Sequence, residues 1–119
     1  MKAGERDLHF ALADFLAVAL PADAVAYHPA NGELRDRATA AKLVKMGVRP
    51  GVPDFAIVHD GRALFLELKA ASGRLSVEQR AMHAALAGAG AEVAVVRSIE
   101  DTVEVLASWG VPLRARLAA

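Results

Sequence analysis

The stretch that most limits the possible folds is PDFAIVHDGRALFLELK, residues 53–69. Two apolar runs, 54–59 and 63–69, flank Asp60-Gly61. Asp-Gly between β-prone runs marks a two-residue hairpin loop, because the favoured turn needs positive φ at both positions. Both faces of each run are largely apolar, so the hairpin is expected in the middle of a sheet with helices on both sides. Three charged side chains stand in or beside these runs: Asp54, Glu67 and Lys69. A carboxylate carried into a buried sheet is costly unless something pairs with it.

The loop also sets the register. With His59 opposite Arg62, Val58 faces Ala63, Ala56 faces Phe65 and Asp54 faces Glu67. Opposed residues hold their Cβ atoms about 4.5–5.5 Å apart. Lys69, two residues beyond Glu67, shares its face. Two carboxylates and an ammonium therefore meet at one end of the hairpin. Like charges directly opposed are destabilising. A hard cation removes the conflict: Mg²⁺ takes oxygen ligands and keeps several waters, leaving positions for a phosphate and a nucleophile. Lys69 has two readings. It offsets a carboxylate in a structural ion pair, or it orients the attacking water and stabilises charge growing on the phosphate.

The other segments place this hairpin. Glu5, Leu8, Leu12 and Phe15 recur at helical spacing, so a helix is expected over 5–20, ended by Pro21, with Glu5 facing inward. A strand is expected over 24–28, a turn at HPANGE (28–33), and a helix over 38–46 closed by Gly47. Ser76 begins a further helix, with Val77, Ala81, Ala84 and Leu86 as its apolar or small residues. A strand follows over 91–96. Ser98 then caps a last helix reaching about Ser108, with Asp101 in a capping-box-like position. That order describes an α/β sandwich around a mixed sheet.

With 119 residues, the chain is expected to form one domain over 1–119. The absence of cysteine removes disulfides, zinc–thiolate sites and thiol nucleophiles. No signal pattern and no apolar run near the roughly 18 residues of a membrane span occur, so a cytoplasmic protein without membrane contact is expected. Glycine-rich phosphate cradles are missing, which argues against a nucleotide cofactor, and no HExxH spacing supports a zinc protease. Net charge is zero, yet residues 35–49 hold Arg35, Arg37, Lys42, Lys45 and Arg49 against Asp36 alone. They form either a solvated helix face or a phosphate-contacting patch.

Pro53-Asp54 and Glu67-Leu68-Lys69 resemble the PD-(D/E)XK nuclease signature. The wider set HPANGE, KMGVRPGVPD, LFLELKAASGRLSVEQ and AGAEVAVVRS resembles the VRR-NUC (virus-type replication–repair nuclease) domain over about residues 5–100. The resemblance implies a restriction-endonuclease-like sandwich, with a mixed central β-sheet flanked by α-helices. It implies a metal-dependent DNA endonuclease using Mg²⁺ or Mn²⁺. Asp54 and Glu67 would bind the metal, helped by the backbone carbonyl of Leu68 and by Glu5, directly or through water. Lys69 would be the catalytic lysine, and Gln79 matches a glutamine close to the active centre. Arg35, Arg37, Lys42, Lys45, Arg49 and Arg74 would contact DNA phosphates. Small stand-alone members, from phages and bacteria, resemble structure-selective homodimers acting on branched DNA such as four-way (Holliday) junctions.

Several residues keep two readings. Gln79 also completes a capping box with Ser76. Glu5 also suits an early helical turn by its charge. His28 and Asn31 serve the turn or lie near metal and DNA. His9 departs from the Gln common after "DL" in the family, which leaves its role open. His59, beside the hairpin loop, is expected to be exposed, and His83, on the Gln79 side of its helix, half-buried. Two rival functions remain: a catalytically inactive nuclease-fold module that grips DNA or protein, and a structural subunit in which Glu67 and Lys69 merely pair.

Overall fold

A computed structural model describes residues 3–30 and 36–114, the side chain of Ala3 excepted. Asn31 and Arg35 lie outside the described residues. The elements are α1 (Ala3–Ala19), β1 (Val25–Tyr27), α2 (Arg37–Lys45), β2 (Phe55–His59), β3 (Arg62–Leu68), α3 (Val77–Gly88), β4 (Glu92–Val96) and α4 (Ile99–Ser108). The sheet order is β1-β2-β3-β4. β1, β2 and β3 run antiparallel in sequence, and β4 joins β3 in parallel. This is the mixed sheet with flanking helices that the element order implies.

The hairpin forms as its turn chemistry dictates. Asp60 and Gly61 both take positive φ, 51° and 72°. The ladder pairs His59 with Arg62 and ends with Phe55 opposite Leu66, one step short of Asp54 and Glu67. One face of the hairpin carries Phe55, Ile57, Leu64, Leu66 and Leu68. It packs with Leu12 and Leu16 of α1, Leu20 just beyond it, and Leu106 of α4. Each such side chain contributes about 1.5–3 kcal/mol when removed from water.

The opposite face is covered only in part. α3 lies over its Glu67 end, where Gln79 and His83 reach Glu67. Toward the hairpin loop, Ala63 is exposed and Val58 is 48% exposed. Helices on both sides thus hold for one end of the hairpin and fail at the other. The buried apolar residue of α3 is Met82, whereas Val77, Ala81 and Ala84 are exposed. Small side chains bury too little area to dictate which way a helix turns. His59 is also buried, contrary to expectation, with its Nε2 3.4 Å from Asp23 Oδ1. Strand parity explains this: His59 shares the core face with Phe55 and Ile57.

α2 is a different kind of element. Asp36 caps it, its side chain accepting from the Thr39 N–H at 2.7 Å, and Gly47 closes it at φ 101°. It buries no residue. Gly51, in the turn leading to Asp54, takes φ 81°, and a Cβ there would run into the Glu78 carbonyl. The turn and the first turn of α3 therefore touch backbone to backbone. Among the described residues no helix is long and apolar enough to cross a membrane.

Candidate functional site

Asp54 sits at the entrance to β2, and its Oδ2 accepts from the Leu68 N–H at 2.8 Å. That bond ties the start of one central strand to the end of the other. Continuing the register one step past Phe55 and Leu66 sets Asp54 opposite Glu67. Glu67 is only 2% exposed. Burial, then the hydrogen bond and the charge of Asp54, push its carboxyl from an ordinary 4.5 up to about 9, with Lys69 opposing and Glu5 adding slightly. At that value the Glu67 carboxyl is protonated at neutral pH. Oxygen donors in this arrangement fit a hard divalent cation, which would take the place of that proton.

Three side chains finish the surroundings of Glu67. Lys69 is buried on the same side, and its backbone N–H continues the sheet by donating to the Val96 carbonyl at 3.1 Å. His83 Nε2 lies 3.0 Å from Glu67 Oε1. Burial and then the Lys69 charge hold that imidazole below its ordinary value, against the pull of Asp54. His83 is consequently neutral at physiological pH. Gln79 makes both a capping contact and a contact with Glu67. Its Oε1 accepts from the Ser76 N–H at 2.8 Å, its N–H donates to Ser76 Oγ at 3.1 Å, and its Nε2 donates to Glu67 Oε2 at 3.4 Å. One amide caps the helix and contacts the carboxyl pair.

Glu5 stands in the first turn of α1, where a Cβ built on Gly73 would lie 3.2 Å from its Oε1. Among the described residues it does not close with Asp54 and Glu67 into a compact three-ligand group. The loop beside it is tied down by Arg97, whose Nη1 donates to the Ala70 carbonyl at 2.6 Å and to the Gly73 carbonyl at 2.9 Å. Arg97 was not singled out in the sequence, where nothing distinguishes it from any other surface arginine. Arg37, Lys42, Lys45, Arg49 and Arg74 are all exposed, on the surface rather than in the centre.

His9 and His28 also meet Asp54. His28 Nδ1 is 2.6 Å from the Asp54 carbonyl oxygen. The His9 ring stands edge-on to His28 with centroids 4.5 Å apart, and lies 4.7 Å from the ring of Phe55. One potential ligand atom from each of His9, His28 and Asp54 falls within 4.8 Å of the others. Helical arithmetic contains the signal for His9, which follows Glu5 by four residues and so shares its face.

A family model for the VRR-NUC domain matches residues 25–100. Among solved structures, a "VRR_NUC domain protein" superposes with a TM-score of 0.56 at 25% identity, covering 69% of this chain and 64% of that one. This chain thus spans less than two thirds of that structure's length. A second structure, a "VRR_NUC domain", superposes with a TM-score of 0.57 at 21% identity, covering 90% of this chain and 97% of that one, a likeness of fold. No curated protein matches.

Proposed function

The chain belongs to the VRR-NUC family of nuclease domains, and from that premise we propose that it hydrolyses DNA phosphodiester bonds with a divalent cation, Mg²⁺ or Mn²⁺. One observation carries this: Asp54 set against buried Glu67 at the end of the central hairpin, with buried Lys69 on the same side. A fold has no use for a half-buried acid set against a buried one, a clash that one apolar substitution would relieve.

Asp54 and Glu67 would hold the cation, with the Leu68 carbonyl beside them and Glu5 acting through water. The cation, when bound, lowers the pKa of a coordinated water and neutralises phosphate charge. Lys69 orients that water and donates to the phosphate oxygen on which charge accumulates. Gln79 and His83 fix the Glu67 carboxylate in position, as partners of metal ligands do. Arg35, Arg37, Lys42, Lys45, Arg49 and Arg74 contact the phosphate backbone without reading sequence. A preference for branched DNA such as four-way junctions, action as a homodimer and a cytoplasmic setting rest on likeness to the family's small members.

The test is cleavage of single-strand, duplex, flap and four-way substrates with Mg²⁺ or Mn²⁺, comparing wild type with Asp54→Asn and Lys69→Ala. Lys69→Ala is expected to lose roughly 10²–10⁴-fold, and Asp54→Asn at least as much. Equal cutting by the variants would assign the activity elsewhere. Calorimetry with the same metals separates the inactive-module alternative, for which no binding at millimolar concentration is expected.

A further inference from the structure

We propose that His9, His28 and Asp54 form a second cation position, of a different chemical class from the carboxylate pair: a nitrogen-rich site for first-row transition ions such as Zn²⁺ or Co²⁺. It touches the nuclease reading only in sharing Asp54.

The three donors come from different parts of the chain. His9 lies on α1, His28 just after β1, and Asp54 just before β2. Their ligand atoms already fall within 4.8 Å of one another. Zinc–nitrogen bonds are about 2.0–2.1 Å, so ligands on one ion stand roughly 3–4 Å apart, and small side-chain rotations bring these three together.

The hydrogen bonding of His28 fixes its tautomer. A carbonyl oxygen only accepts, so the 2.6 Å contact to the Asp54 carbonyl is an Nδ1–H donation. That donation leaves Nε2 as the nitrogen with which His28 would bind a cation. Donation of the second ring N–H to a backbone carbonyl is how metal-bound histidines are normally oriented. His9 is 9% exposed and wedged between His28 and Phe55, so its ring is already ordered. Little side-chain freedom remains to be lost on binding.

Two of the three donors border a cavity. Its volume is about 440 Å³, and its lining includes His9, His28, Phe55, Leu20 and Arg114. Imidazole donors favour zinc, cobalt and copper-class ions, whereas carboxylate and carbonyl oxygens favour magnesium and manganese. The two positions therefore discriminate between ions although they share a residue.

The probe is Co²⁺ titrated into the full, metal-free chain and followed by visible absorption. Wild type is expected to develop ligand-field bands that saturate at one equivalent. His9→Gln is expected to weaken that binding at least tenfold while its metal-free circular dichroism stays unchanged. Glu67→Gln, outside the trio, is expected to retain the bands. Bands unchanged in His9→Gln, or lost only in Glu67→Gln, overturn the site. A variant-free check is ¹⁵N imidazole spectra of wild type with Zn²⁺. His9 and His28 resonances should move together at the first equivalent, and movement confined to His59 or His83 overturns it. Failure of the nuclease reading shows separately, as no DNA cleavage with Mg²⁺ or Mn²⁺ in a protein that still binds Co²⁺.

Discussion

The end of the central hairpin and the helix α2 handle charge in opposite ways. At the hairpin end, Glu67 and Lys69 are buried, and Glu67 keeps its proton because ionising there is costly. On α2, Arg37, Lys42 and Lys45 all face water and no residue is buried. Ionisable groups in the first place are held in a fixed geometry out of water. Charge in the second is cheap, mobile and screened by salt. The proposed reaction would use both: a rigid centre for the chemistry and a surface that meets a long polyanion without demanding one pose.

The sharpest way to break this contrast is through Glu67. Its carboxyl ionises near 4.5 when unfolded and at about 9 when folded. The stability tied to its proton is therefore full below about pH 4.5 and is lost as pH rises through 9. Thermal melts of metal-free wild type should show Tm falling across that window. Glu67→Gln should melt more evenly, and above wild type at about pH 9. Mg²⁺ should raise the wild-type Tm more at pH 8 than at pH 5 and leave Glu67→Gln unmoved. A wild-type Tm independent of pH would mean that no proton is held there.

Gln79 and Ser76 allow a finer cut within the centre. Both variants lose part of the same cap, at a cost of about 1 kcal/mol each. Only Gln79→Ala also removes a partner of Glu67, so only it should weaken Mn²⁺ binding, by roughly 10–100-fold in calorimetry. Equal weakening by Ser76→Ala would reduce the contact to a by-product of capping.

The smallest effects belong to α2. Lys42→Ala and Lys45→Ala should each leave stability within about 0.5 kcal/mol. Each should flatten the dependence of log DNA affinity on log salt by about 0.9. An unchanged slope would turn the patch back into a solvated face.

What the sequence disclosed follows the range of the physics involved. The hairpin register was legible because Asp60-Gly61 fixes it locally and strand parity carries it to Asp54 and Glu67. The caps at Ser76 and Ser98 were legible for the same reason, since their partners lie three residues on. The orientation of α3 was not, because its alanines point nowhere in particular and Met82 decides. His59 was misjudged by its nearness to a loop, where parity would have placed it correctly. The bonds of Arg97 and the meeting of His9, His28 and Asp54 join segments far apart in the chain; local spacing puts His9 on the face of Glu5 but does not bring His28 to it.

The bare main chain at Gly51 works as a shim of zero thickness. It sets the gap between the turn delivering Asp54 and the helix bearing Gln79 and His83 by backbone contact alone. Neighbouring side chains can drift in identity without resetting that gap. One added carbon at this place would wedge the two apart, leaving a protein that folds around a slack and misaligned centre.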